Sequence, residues 1–321
     1  MTDALPLADI FQALADPSRL RILALLRNME LSVGELAQVL GQSQPRVSRH
    51  LRILADAGIV ERRKEGSWVF LTLADPERTG PLFVLLDRWA DVETERAFHD
   101  DAARLEAVRA DRAEAAARYF AVHADAWDSI RSLHVAESEV ERAIDQALGG
   151  RPLGRLIDIG TGTGRMIELF GSRADQSIGV DRSSEMLRLA RVKLEAAGIA
   201  SSLRQGDMYA LPLPDHSADC VIIHQVLHYA HSPAAAIVEA ARVLAPGGTL
   251  LVVDFAPHDR EELRDRDAHM RLGFDDSTMT GWFGAAGLAI DHIEHLEGGE
   301  LTVTLWRGAK YGEPKRQRRA A

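Results

Sequence analysis

The chain has 321 residues, enough for two domains of about 100–200 residues each. Hydrophobic residues make up 46% and charged residues 27%, an ordinary composition for a soluble protein, and no apolar run approaches the roughly 18–20 residues of a membrane-crossing helix. The net charge of −10 excludes a protein that is basic throughout. The opening M-T-D-A-L-P has neither the basic nor the apolar part of a signal peptide, and Cys220, the one cysteine, has no internal disulfide partner, so the cytoplasm is the expected location.

Leu7 opens a helical pattern. Ile10 and Leu14 recur at helical spacing and so, after Asp16-Pro17, do Leu20, Ile22, Leu23, Leu25 and Leu26. Asp16 suits the N-cap and Pro17 the first helical position. Ser32-Val33-Gly34-Glu35 is a capping box, which predicts a short helix through Leu40, ended by Gly41. Ser43 is placed to cap a second helix, predicted over 43–57. Its apolar positions Val47, Leu51 and Leu54 share one face, so Gln44, Arg46, Ser48, Arg49 and His50 are expected to project outward. Two short strands follow over 60–73, joined at Glu65-Gly66, with Arg62, Arg63 and Lys64 near the tip.

Charge supports a nucleic-acid face here. Residues 1–75 are neutral, with nine basic and nine acidic groups, but residues 43–64 hold six basic groups against two acidic ones. A helix pair with a Gly-containing turn, followed by a basic hairpin, is the plan of a helix-turn-helix with a wing. A structural helix pair with a solvated charged face is the alternative. "ALADPSRLRILALL" (13–26) and "LSVGELAQVLGQSQPRVSRHLRILADAGIVERRKEGSWVFLTL" (31–73) resemble the ArsR-type winged-helix repressors. The resemblance implies a homodimer on palindromic double-stranded operator DNA, joined through the first helix and a helix after the wing. Ser32 and Gly34 stand where many metal-sensing members carry cysteines, so no soft-metal site is expected there. Pro81 is expected to open the later helix, with Leu82, Leu85, Leu86 and Trp89 on one stripe that serves either a dimer or an internal core.

Residues 82–148 contain neither Gly nor Pro and are rich in helix formers. They predict consecutive helices with breaks near 99–101 and 123–125, acting either as a coupling element or as a spacer.

After Gly149-Gly150 apolar strands alternate with helical segments, the pattern of a parallel sheet covered on both faces. "DIGTGTG" (158–164) lets the backbone approach a ligand, and an acid ending the next strand, Asp181, suits ribose hydroxyls. A dinucleotide-binding domain would share these features. "IDIGTGTG" (157–164), "GVDRSSEML" (179–187), "RQGDMYALPLPDHSADCVIIHQVLHYA" (204–230) and "ARVLAPGGTLLVVDF" (241–255) together resemble the class I S-adenosylmethionine-dependent methyltransferases. That resemblance spans about residues 120–309. It implies S-adenosylmethionine or S-adenosylhomocysteine as the ligand. It places Asp158, Gly160, Gly162 and Gly164 around the amino-acid part, Asp181 on the ribose, Arg182 and Met186 flanking the adenine, and Asp207 and Met208 at its edge.

His224, His228 and His258 are weak catalytic candidates near strand ends, as compatible with structural roles as with catalysis, and no metal set is expected. The basic end, Lys315, Arg316, Arg318 and Arg319, reads as a solvated tail.

The expected architecture is multidomain. An N-terminal α+β winged helix-turn-helix occupies 1–98 and a helical connector 99–149. A Rossmann-like α/β class I methyltransferase sheet fills 150–310, and a basic tail 311–321. The expected function is transcriptional regulation in response to the adenosyl ligand, which the resemblance associates with methionine or one-carbon genes. Active methyl transfer to a small molecule is the alternative.

Overall fold

The computed structural model describes residues 7–27, 31–65, 68–74, 76–123, 136–297 and 299–311. Its contacts divide the chain into two units, Met1–Ala115 and Ala116–Ala321.

The first unit opens with α1 (Leu7–Leu14) and α2 (Pro17–Leu26). Asp16 caps α2, its Oδ1 accepting from the N–H groups of Ser18 (2.8 Å) and Arg19 (3.3 Å). Strand β1 (Leu31–Ser32) leads into α3 (Val33–Leu40), where the capping box is complete: Ser32 Oγ accepts from Glu35 N–H, and Glu35 Oε2 accepts from Ser32 N–H at 2.7 Å. Gly41, at φ 63°, ends α3 in the left-handed conformation that glycine adopts without strain. Helix α4 (Gln44–Asp56) follows. Ser43 holds its N-cap position but makes no side-chain capping bond, and Pro45 in the first turn favours this start. Strands β2 (Val60–Glu65) and β3 (Trp68–Leu73) complete a three-stranded sheet in the order β1-β3-β2. Gly66, the expected turn, lies outside the described residues. One core holds the unit together: Ile22 and Leu23 of α2, Leu36 of α3, Val47, Leu51 and Leu54 of α4 and Leu71 of β3 are all fully buried. Each such side chain contributes roughly 1.5–3 kcal/mol by leaving water.

Two helices follow, α5 (Pro76–Trp89) and α6 (Val92–His123). Pro81 lies inside α5 instead of opening it. The stripe on α5 splits: Leu82 is buried and Leu86 packs on the core, while Trp89 is 74% exposed. No break occurs near 99–101. The break falls at 90–91, where Asp91 Oδ1 accepts from Thr94 N–H at 2.8 Å and starts α6. Asp101 stays helical because it is buried and paired, with Arg21 of α2 (2.5 and 2.6 Å) and with Arg104 (2.6 Å). The second expected break and the basic end lie largely outside the described residues.

The second unit carries α7 (Glu137–Leu148), β4 (Gly154–Ile159), α8 (Arg165–Phe170), β5 (Ala174–Asp181), α9 (Ser184–Ala196), β6 (Ser202–Gln205) and β7 (Ala218–His224). Then come α10 (Pro233–Val243), β8 (Leu244–Phe255), α11 (Glu262–Arg266), α12 (Asp276–Ala285), β9 (Leu288–Leu296) and β10 (Val303–Lys310). These later strands make a second sheet, seven strands in the order β6-β5-β4-β7-β8-β10-β9. Along that order β6 to β8 are parallel, and β10 and β9 close the sheet antiparallel. The central strands are apolar on both faces, as a sheet covered twice requires: Ile157, Val221 and Leu250 are buried on one face, and Leu156, Ile222 and Leu251 on the other. From β4 the chain first builds outward through β5 and β6, then returns to add β7 on β4's other side. Such a reversal opens a crevice at the carboxyl ends of β4 and β7, where ligands bind in open α/β sheets.

Candidate functional site

The N-terminal unit offers α4 and the β2–β3 hairpin. On α4, Gln44, Arg46, Arg49 and Arg52 are exposed and Ser48 is half-buried. Arg46, Arg49 and Ile53 are spaced three and four apart, and all three are exposed, so the outward face is a stripe with two guanidinium groups and one apolar side chain. His50 differs from the expectation. It is 8% exposed and faces Asp16, with Nδ1 3.8 Å from Oδ1. Position 50 lies one turn from Val47 and Leu54, so it belongs to their inward face. Burial pushes its pKa below the ordinary histidine value, Arg19, Arg46 and Arg49 push the same way, and Asp16 opposes them. On β2, Arg62 and Lys64 are exposed, whereas Arg63 is half-buried with its guanidinium 5.4 Å from the Phe70 ring centre.

At the crevice of the second unit, the turn after β4 carries three glycines in the left-handed region: Gly160 (φ 70°), Gly162 (52°) and Gly164 (84°). A Cβ at Gly160 would lie 2.5 Å from Val226 Cγ2, in the loop after β7, so a bare Cα lets the two loops close on each other. Asp158, buried at the end of β4, accepts from Thr161 Oγ1 at 2.6 Å. Asp181, ending β5, accepts from Gly162 N–H and Ser183 N–H, both at 2.8 Å. Burial pushes its carboxyl above the ordinary value and those N–H groups pull it down.

Arg182 and Asp207 are exposed, and Met208 is half-buried beside Tyr209. Burial pushes the Tyr209 phenol up to about 12. Met186 is 2% exposed: Ser183 Oγ caps α9 through Met186 N–H, and that register turns its side chain inward with Leu187 and Ala190.

The three candidate histidines separate. His224 ends β7 and is buried; His258, past β8, is half-buried. His228 meets an acid, with Nδ1 2.8 Å from Asp254 Oδ1. Asp254 escapes sequence reasoning; an acid at the end of the apolar run "TLLVVDF" is the available signal. Cys220 is buried, which pushes its thiol up to about 12 and leaves it no nucleophile. Among the described residues no group of three or more His, Cys, Asp or Glu could hold a metal ion, and no helix is long and apolar enough to cross a membrane.

These features define a two-part protein, a helix-turn-helix regulator domain joined to a methyltransferase domain. Residues 16–62 match the bacterial regulatory protein, arsR family, and residues 157–252 match a methyltransferase domain. An uncharacterised HTH-type transcriptional regulator of Methanocaldococcus jannaschii is 44% identical over 81 residues, 25% of this chain and 90% of that protein. The chain therefore belongs, through its N-terminal domain, to the arsR family. The demethylmenaquinone methyltransferase of Thermus thermophilus is 39% identical over 118 residues, 36% of this chain and 53% of that enzyme, so the chain spans about half that relative's length. In structure, a chain of the Haloferax volcanii complex that contains the Trm112 methyltransferase activator superposes with a TM-score of 0.50 at 21% identity. The match covers 60% of this chain and 97% of that one, a likeness of fold alone.

Proposed function

We propose that the protein is a DNA-binding transcriptional regulator that responds to S-adenosylmethionine or S-adenosylhomocysteine. The observation that carries this reading is the presence in one chain of an arsR-family domain and a methyltransferase sheet with its glycine turn and strand-end acids intact. Gln44, Arg46, Ser48 and Arg49 contact operator bases and phosphates, and Arg62, Arg63 and Lys64 contact phosphates. His50 supports α4 from inside. Two copies bind a palindrome. Leu7 and Phe11 of α1, Val84 and Trp89 of α5 and Val92 of α6 are large apolar side chains left exposed, which supports a dimer built on these helices.

In the second domain the bare edge of Gly160, Gly162 and Gly164 beside buried Asp158 fits a zwitterionic amino-acid group. The carboxylate of Asp181, at the end of β5, fits ribose hydroxyls. Arg182, Asp207 and Met208 line the adenine end, with Met186 beneath them. When bound, S-adenosylmethionine supplies an electrophilic methyl group; the chain's own residues bind and orient it.

The testing experiment is calorimetry with each adenosyl ligand, followed by anisotropy on DNA from the promoter of the protein's own gene. A several-fold change in operator affinity is expected with one ligand; none at saturation removes the regulatory reading. The second reading, an active small-molecule methyltransferase with an autoregulatory DNA-binding domain, is favoured by the His228–Asp254 contact and by the methyltransferase relatives. Transfer of labelled methyl groups to extract metabolites tests it. The cytoplasm is the proposed location.

A further inference from the structure

One buried pair in the second domain lies outside the set of residues proposed above to hold the ligand. His228 is 2% exposed, and Asp254, fully buried, accepts its Nδ1 at 2.8 Å. Asp254 also accepts N–H bonds from Phe255 (2.8 Å) and from the backbone of His228 (3.2 Å). Asp254 Oδ1 already acts as an acceptor towards Phe255 N–H, and as the acceptor for Nδ1 too it places the imidazole proton on Nδ1 and the lone pair on Nε2. A base whose tautomer and orientation are fixed by a third group is the arrangement used for proton abstraction.

Its position fits that work. His228 stands two residues past Val226, the side chain packed on Gly160. Ring centres of Tyr229, His269 and Phe255 lie 4.0, 4.3 and 5.0 Å from that of His228, and His258 is 6.2 Å from Phe255. Two non-glycine residues nearby hold left-handed backbones, Gln225 (φ 50°) before the loop and Ala268 (φ 58°) before His269. Such strained residues gather where surrounding structure holds a functional site in place.

We propose that His228, oriented by Asp254, is the general base for methylation of the hydroxyl of a flat aromatic acceptor, a phenol, held against this group of rings. The proposal rests on the reading that this domain binds S-adenosylmethionine. The acceptor oxygen gives its proton to Nε2 and bonds to the methyl carbon as the carbon–sulfur bond breaks, its electron pair staying on sulfur. The imidazolium formed is balanced by Asp254 and returns its proton to water. Flat acceptors match the offset and edge-on packing that aromatic rings prefer.

The test uses the full chain saturated with S-adenosylhomocysteine and 4-nitrophenol as the acceptor probe, whose phenolate absorbance reports ionisation. In the wild type the bound probe is expected to ionise about one pH unit lower than in water, a tenfold change in its ionisation constant. Nitrogen-15 NMR is expected to show His228 protonated at Nδ1 and bare at Nε2. His228→Gln abolishes the shift, and Asp254→Asn reduces it and mixes the tautomers, while adenosyl-ligand affinity stays within about twofold. An Nε2-protonated ring, a probe that does not bind, or an unshifted probe in the wild type overturns the proposal whether or not the variants fold. Failure to take up either adenosyl ligand overturns the underlying reading as well, whereas ligand uptake with an unshifted probe overturns the base alone.

Discussion

Gly160 shows how one residue's missing side chain joins two loops. Its φ of 70° and the 2.5 Å to Val226 Cγ2 are separate demands, and only glycine meets both. An L-residue in the left-handed region costs about 1–2 kcal/mol. Forcing a methyl into packed space adds about 1–3 kcal/mol more. Gly198, at φ 69° after α9 with nothing within 4 Å of where a Cβ would stand, makes only the first demand. Gly160→Ala should therefore lose about 2–5 kcal/mol in urea unfolding and weaken adenosyl-ligand binding, and Gly198→Ala about 1–2 kcal/mol with binding intact. Equal losses in the two variants would mean that Val226 yields. The glycine turn and Asp181 were legible in the sequence because local spacing sets them. Asp254 as the partner of His228 was not, since 26 residues separate them and only the pairing of β7 with β8 brings them together.

At the scale of the element, α4 must present one face to DNA and bury the other. Polarity alone suggests that His50 faces out; angle places it with Val47, Leu51 and Leu54. The buried ring has a pH consequence. Its folded pKa lies below the unfolded value of about 6.5, so as pH falls past that value the unfolded chain binds a proton that the native state refuses. Stability then declines with falling pH until the folded pKa is passed, and levels off below it. His50→Gln should lose less stability than the wild type between about pH 7.5 and pH 5, measured by urea unfolding, because its side chain does not titrate. A parallel decline in both proteins would assign the loss to other groups. On the opposite face, Arg49→Ala should cost about 1–3 kcal/mol of operator affinity if its fork reads a base, and lower the salt slope by about one if it touches only phosphate. The α3 cap was legible because Ser32 and Glu35 are three residues apart; the unbroken helix through 99–101 was not, because Asp101 pairs with Arg21, 80 residues away.

At the scale of the whole molecule, the two readings of function differ in one thermodynamic quantity. A regulator needs a coupling free energy between its DNA face and its ligand crevice; an enzyme carrying a DNA-binding domain does not. Coupling is reciprocal, so a ligand that changes operator affinity by some factor must find its own affinity changed by the same factor when operator is bound. Regulatory couplings are typically about 1–3 kcal/mol, or roughly 5–150-fold. Calorimetric titration of S-adenosylmethionine and S-adenosylhomocysteine, with and without saturating operator, measures this factor from one side and anisotropy from the other. Matching factors above about fivefold are the expected outcome. Equal affinities in both titrations, with ligand bound, leave the methyltransferase domain working independently of DNA. The sign is informative too. If the homocysteine form alone shifts the equilibrium, the protein responds to accumulated product of methylation, because a ligand acts only through its differential affinity for the two states.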